Sequence, residues 1–143
     1  MSKISDFRGE YRWLSNFHSV EVELAGLRFP STEHAYQAAK TLDIAKRRAI
    51  QALPTCRQAK RAGQRLELRD DWEQVNVEVM LDLQRQKYAV PYLREKLLAT
   101  GDAELVEGNT WGDRFWGVCG DTGLNWLGRL LMQVREEIKA VRP

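Results

Sequence analysis

The chain has 143 residues, 43% of them hydrophobic and 29% charged, with a formal net charge of +2, enough to bury a core in one domain spanning 1–143 without staples. No apolar run approaches the roughly 20 residues that cross a bilayer, and the residues after Met1 form no apolar signal core, so a membrane partner is excluded and the cytoplasm is the expected location. Cys56, Cys119, His18 and His34 match no metal-ligand or redox spacing, which leaves reduced thiols and a chemistry with no metal and no other cofactor.

Residues 7–17 are dense in aromatic and polar groups without a clean period, which predicts an ordered loop packed through Phe7, Trp13, Leu14 and Phe17. Arg8 offers a planar fork for phosphate or carboxylate, and Ser15 and Asn16 offer short hydrogen-bonding groups. Val20 to Leu24 alternates, Ala25-Gly26 permits a turn, and Leu27 to Phe29 returns, so a hairpin is expected. It leads into Pro30-Ser31-Thr32-Glu33-His34-Ala35-Tyr36-Gln37-Ala38-Ala39-Lys40. Ser31 or Thr32 is the expected N-cap of a helix running toward Leu53. One stripe of that helix, Ala35, Ala38, Ala39, Leu42, Ala45, Ala49 and Ile50, would face a core. The other stacks Glu33, Tyr36 or Gln37, and Lys40 along one side. In the first helical turn Glu33 is favoured as the anion; a catalytic carboxylate and a simple helix-end charge both fit.

Pro54-Thr55 opens a short basic helix through Ala62, with Gly63 placed as its C-cap. Between Lys40 and Arg69 nine basic residues face only Asp43 and Glu67. Such an excess suits phosphate contacts, and it equally suits solvated helix faces. Asp70 or Asp71 caps a further helix over about 71–88, carrying Trp72, whose ring either packs in the core or meets a ligand. Pro91 begins another helix ending at Gly101, and Leu105-Val106 is a brief extended piece. Residues 107–123 then hold five glycines. Their spacing matches neither a dinucleotide fingerprint nor a Walker loop. Trp111, Trp116 and Phe115 beside Asn109 and Asp113 read as an aromatic wall with polar groups, or as a glycine-rich connector with core aromatics. Asn125 is the expected cap of the last helix, whose stripe is Leu127, Leu130, Leu131, Val134 and Ile138. Gly128 inside it predicts close packing against another backbone.

Together these segments resemble the NADAR family of YbiA-like proteins. The resemblance is carried by Leu14-Ser15-Asn16-Phe17, the stretch from Pro30 to Lys40, Asp71-Trp72 with Val79-Met80 and Lys87-Tyr88, Leu105-Val106-Glu107, Asp113-Arg114-Phe115-Trp116-Gly117, and Gly123 to Met132. It implies a compact, mainly α single domain with a small β hairpin or sheet (α+β), and N-glycosidase activity on ribose-linked substrates. Two targets are associated with the family: phosphorylated, ribosylated intermediates of riboflavin synthesis, and ADP-ribose on guanine bases of nucleic acid. By motif it assigns function to Glu33, Trp72, Asp113 and Trp116. Val118 stands where some members place an acid after Trp-Gly, so Asp113 or Asp121 would have to supply any duty of that acid.

Cleaving a ribose-to-nitrogen bond builds positive charge on the anomeric carbon, which Glu33 would stabilise, while Asp113 or a water protonates the leaving nitrogen. Trp72 and Trp116 would stack on base or sugar, Arg8 and Lys40 would neutralise phosphate, and Ser15, Asn16, Tyr36, Gln37, Asn109 and Trp111 would complete the substrate contacts. Two rivals dispense with Glu33 chemistry, the first of them using the same aromatic and basic groups. One is a module that binds ADP-ribose or a nucleotide without cleaving it; the other binds nucleic acid through the basic segment.

Overall fold

The computed structural model describes residues 2–141. It is mainly α-helical with a little β structure, as the sequence predicts, and among the described residues the strands form three two-stranded sheets. The residues fall into two compact units, one from Asn16 to Lys87, the other made of the chain up to Ser15 and from Tyr88 onward. No helix among the described residues is long and apolar enough to cross a membrane.

In the unit from Asn16 to Lys87, β1 (Ser19–Leu24) pairs antiparallel with β2 (Leu27–Ser31). The two turn residues, Ala25 and Gly26, have φ of 50° and 83°. A two-residue turn with both residues left-handed matches the twist of the strands it joins, which is why Gly is wanted there. Val22 sits opposite Phe29, and both are buried. Ser31 ends β2 and caps the next helix, its hydroxyl accepting from the amide of His34 at 3.0 Å.

That helix, α1 (Thr32–Ala39), is buried at all eight positions and packs against β1, β2 and the three helices that follow it in this unit. It does not run on toward Leu53. Lys40 O accepts from the Arg69 amide at 2.8 Å, Thr41 O accepts from Arg47 Nε at 2.7 Å, and Thr41 Oγ1 accepts from the Asp43 amide at 3.1 Å. Asp43 then caps a separate helix, α2 (Ile44–Gln51), by accepting from the amides of Ala45 and Lys46. Short polar side chains that bond the backbone locally compete with helix continuation, and here they win. Leu42 and Ile44 are therefore 64% and 50% exposed, and Ala45 and Ala49 face solvent as well.

In α3 (Cys56–Gln64) Thr55 and Gln58 form a reciprocal capping box. Gly63 lies inside this helix and is buried, so it is not the C-cap. α4 (Trp72–Lys87) buries Trp72, Met80, Leu83, Gln84 and Lys87 against α1 and β1. The carboxylate of Asp71, just before it, accepts from Arg69 Nε and Nη2 at 2.6 and 3.0 Å. That pair holds the Asp71 carboxyl below the ordinary range.

In the other unit, β3 (Lys3–Ile4) runs parallel to β4 (Glu104–Leu105), and residues Gly9–Leu14 form a 3-10 helix that buries Trp13 and Leu14. Trp13 meets the buried Tyr88 edge-on at 6.3 Å. After α5 (Pro91–Ala99), β5 (Gly108–Asn109) pairs in parallel with β6 (Val118–Cys119). The last described element is α6 (Trp126–Val141), whose Leu127, Leu130, Leu131 and Val134 are buried. Arg135 is buried on the same helix, donating to Thr100 Oγ1 at 2.8 Å and Ala103 O at 2.9 Å, so it ties the end of α5 to α6.

Asn125 does not cap α6 with its side chain. Its Nδ2 donates to Leu105 O at 2.9 Å and its Oδ1 accepts from the Glu107 amide at 3.0 Å, a strap onto the strand before it. The amides of Leu124, Asn125, Trp126 and Leu127 instead donate to the carbonyls of Arg114, Gly117, Phe115 and Trp116. Backbone carbonyls of the glycine-rich loop thus satisfy donors that a helix start leaves open.

Candidate functional site

Six of the residues singled out from sequence, Asn16, Glu33, Tyr36, Gln37, Lys40 and Trp72, lie in the unit from Asn16 to Lys87. Glu33 is held at the first turn of α1, where the amides and macrodipole favour its charged form. It is nonetheless only 7% exposed. Gln37, one turn on, donates from Nε2 to Glu33 Oε2 at 2.6 Å. Farther along the helix the Lys40 ammonium lies 5.6 Å from the centre of the Tyr36 ring, and that ring packs at 5.2 Å and 50° against Trp72 of α4. Burial pulls Lys40 below its ordinary pKa; the Glu33 charge opposes that pull and the Lys60 charge adds to it.

Asn16 is buried and serves as the junction that fixes this end of α1. Its backbone O accepts from the Glu33 amide at 3.2 Å and from Thr32 Oγ1 at 3.1 Å. Its side-chain Oδ1 accepts from Thr32 Oγ1 at 3.0 Å and from Gln84 Nε2 at 2.7 Å. Gln84 is fully buried, and sequence reasoning passed it over. The available signal was its place four residues after Met80, a polar group on the apolar stripe of α4.

A second set of contacts fixes the start of α1. His34 Nε2 donates to Leu53 O at 2.9 Å, so in the neutral ring Nδ1 is the acceptor for Ser31 Oγ at 2.7 Å. Cys56 Sγ, at the first turn of α3, lies 3.2 Å from the same hydroxyl. These groups hold the Ser31 cap, and with it the direction in which α1 projects Glu33.

The other six residues belong to the second unit. Asn109 is wholly engaged in shaping its loop: Nδ2 donates to Asp113 O at 2.8 Å and Val118 O at 3.3 Å, while Oδ1 accepts from the Asp113 amide at 3.0 Å. Asp113 Oδ1 accepts from the amides of Phe115 and Trp116 at 3.1 and 2.9 Å. The loop presents Trp116 edge-on to Phe115 at 4.9 Å, and Trp111 is 58% exposed. Arg8, its side chain 69% exposed, pairs with Asp6 at 3.6 Å. The Ser15 amide closes the 3-10 helix onto Arg12 O at 3.0 Å.

The two amide contacts of Asp113 carry an expected result. Asp113→Asn retains an acceptor oxygen and should unfold at the wild-type denaturant midpoint, whereas Asp113→Ala should lose about 1–2 kcal/mol in the same titration. Equal midpoints for wild type and Asp113→Ala would show that these bonds do not hold the loop.

Among the described residues, no three His, Cys, Asp or Glu side chains stand close enough together to hold a metal ion. What the α1 group brings together is the buried Glu33 carboxyl bonded by Gln37, a Lys40 ammonium that feels the Glu33 charge, and the packed Tyr36 and Trp72 rings.

Over residues 5–139 the sequence matches the NADAR domain family. It is 38% identical to N-glycosidase YbiA of Escherichia coli over 133 residues, covering 90% of this chain and 82% of that protein. It is 39% identical to an N-glycosidase of Nostoc punctiforme over 137 residues, covering 90% of this chain and 86% of that one. A riboflavin biosynthesis protein of Vibrio vulnificus is 40% identical over 136 residues; there 92% of this chain is covered but it spans only 36% of the relative's length. In three dimensions the chain is similar to the NMR structure of E. coli YbiA, with a TM-score of 0.84 and 35% identity over 96% of this chain and 84% of that one. A match across nearly the whole chain, in sequence and in fold, establishes that the protein belongs to the NADAR domain family.

Proposed function

We infer that this protein is an N-glycosidase that hydrolyses the bond between ribose and nitrogen in phosphorylated, ribosylated pyrimidine intermediates of riboflavin synthesis. The observation that carries the reading is Glu33: a carboxylate 7% exposed, anchored at 2.6 Å by Gln37 and held at the start of a helix that is buried throughout. Buried charge is costly to maintain, and a site that maintains it is suited to stabilising charge that develops during a reaction. The names of the E. coli, Nostoc and Vibrio relatives support both the reaction type and the substrate class.

In this reading the C–N bond lengthens, positive charge grows on the anomeric carbon, and Glu33 stabilises it and takes a proton from the attacking water. The leaving nitrogen keeps the bonding pair and gains a proton, so ribose phosphate and a free amine are released. In the same reading Lys40, at the C-cap of α1 and with its charged form supported by Glu33 against burial, attracts a substrate phosphate. In this reading the buried Tyr36 and Trp72 rings, packed against each other at 5.2 Å, form the apolar backing of the site behind base or sugar.

A second reading, removal of ADP-ribose from guanine in nucleic acid, is favoured by the exposed Lys46 and Arg48 on α2 and Arg57 and Arg61 on α3. Incubation with a ribosylaminopyrimidine phosphate should release ribose 5-phosphate, measured by chromatography, with an ADP-ribosylated oligonucleotide run in parallel. Release from the oligonucleotide alone would transfer the assignment to the second reading. Saturable binding of ADP-ribose with no release from either substrate would make the chain a binding module and end the hydrolytic assignment.

A further inference from the structure

Gln37 pays twice for its position. Its Nε2 lies 2.6 Å from Glu33 Oε2, and because a carboxylate only accepts, the amide must turn its NH2 group that way. This sends Oε1 toward α3, where it is buried without a hydrogen-bond partner. A Cβ on residue 63 would stand 1.8 Å from that oxygen and 2.6 Å from the Gln37 Cδ, so only the glycine of α3 leaves room for the amide. A side chain kept for packing would satisfy both ends of its amide or dispense with them. Here an unpaired acceptor and a glycine inside a helix both serve the one bond to Glu33.

We propose that Gln37 is a positioning residue for the Glu33 carboxylate, seated by Gly63, in place of the substrate contact that its helical spacing suggests. The proposal rests on the reading of Glu33 as the catalytic carboxylate. Four residues apart on one helix, the two side chains form a rigid unit: the anchored Oε2 fixes the plane of the carboxylate and so the direction of Oε1. Turnover depends on that direction, because charge stabilisation at the anomeric carbon is lost steeply with misplacement. Ground-state binding of sugar, base and phosphate does not.

The test is Gln37→Met, which keeps the length and apolar volume while removing the donor, and Gly63→Ala, which leaves Gln37 intact but crowds its seat. Both are assayed on the ribosylaminopyrimidine phosphate, with a thermal melt of each so that kinetics are read on folded protein. The expected result is a fall in kcat of about ten- to hundredfold with KM changed less than about twofold. Gly63→Ala should add little to the kcat loss of Gln37→Met when the two are combined, since the bond it disturbs is already gone. If one variant does not fold, the other gives the same reading. A raised KM with kcat held would make Gln37 a substrate contact, and wild-type kinetics in a folded variant would remove the role altogether. Glu33→Gln separates the two levels. If it is inactive while Gln37→Met is not, only the positioning role has failed; if it is fully active, the reading of Glu33 has failed first.

Discussion

Glu33→Gln is expected to fold as the wild type does and to turn over about a hundred- to thousandfold more slowly, the usual consequence of removing one group that stabilises charge in a transition state. The two side chains are nearly equal in volume, and an amide oxygen can still accept the 2.6 Å bond from Gln37 Nε2. What is lost at the helix start is only the attraction between an anion and the first-turn amides, about 0.3–1 kcal/mol. Substrate affinity should change little, because the positive charge that Glu33 meets develops only as the bond breaks. Lys40 provides an independent sign that the substitution acted electrostatically. The Glu33 charge supports its protonated form against burial, so its pKa should fall further in the variant. Single-turnover rates measured beside thermal melts would decide, and near-wild-type turnover in folded protein would remove Glu33 from the mechanism.

The start of α1 was legible because strong local rules agreed there. A hydroxyl at Ser31, an acid at Glu33 and a two-residue turn at Ala25-Gly26 each specify one local structure, and all three appear as expected. The end of α1 was not legible. Leu42, Ala45 and Ala49 continue an apolar stripe that a periodicity argument extends, while Thr41 and Asp43 stop the helix with local bonds and the Lys40 carbonyl is taken by the distant Arg69 amide. Gly63 and Asn125 misled for the same reason. Each is a favoured helix-end residue, and each is spent on a distant segment: Gly63 on the Gln37 side chain, Asn125 on Leu105 and Glu107.

The candidate site divides along similar lines. Spacing placed Glu33, Gln37 and Lys40 on one side of a helix, and the structure adds that Glu33 and Gln37 are buried while Lys40 is half-buried, which spacing alone cannot tell. Gln84 was hidden because a polar residue on an apolar stripe looks like an imperfection until its partner, Asn16, is brought to it from far along the chain. In the glycine-rich loop the residue types marked the segment, but not that Asn109 would bind the loop's own backbone through both ends of its amide.

Gly128→Ala is expected to destabilise the protein by about 3 kcal/mol, although the same substitution inside an exposed helix normally stabilises by up to about 1 kcal/mol. A Cβ at residue 128 would lie 2.1 Å from Leu105 O and 2.4 and 2.5 Å from the amide atoms of Asn125. The nearest neighbour is backbone, and it is pinned. Leu105 belongs to β4, whose pairing with β3 fixes it on one side, and its carbonyl already accepts from Asn125 Nδ2. Making room requires α6 to move away from β4, which stretches the Asn125 strap to both Leu105 and Glu107. Overpacking of this kind costs about 1–3 kcal/mol, and each strained or broken strap bond adds about 1 kcal/mol, against the modest gain in helix propensity. A denaturant titration should therefore show a lower midpoint with an unchanged slope, the mark of lost stability without a change in the surface exposed on unfolding. A midpoint at or above that of the wild type would mean that β4 yields to the methyl group, and that the close approach of α6 to Leu105 contributes nothing to holding the two elements together.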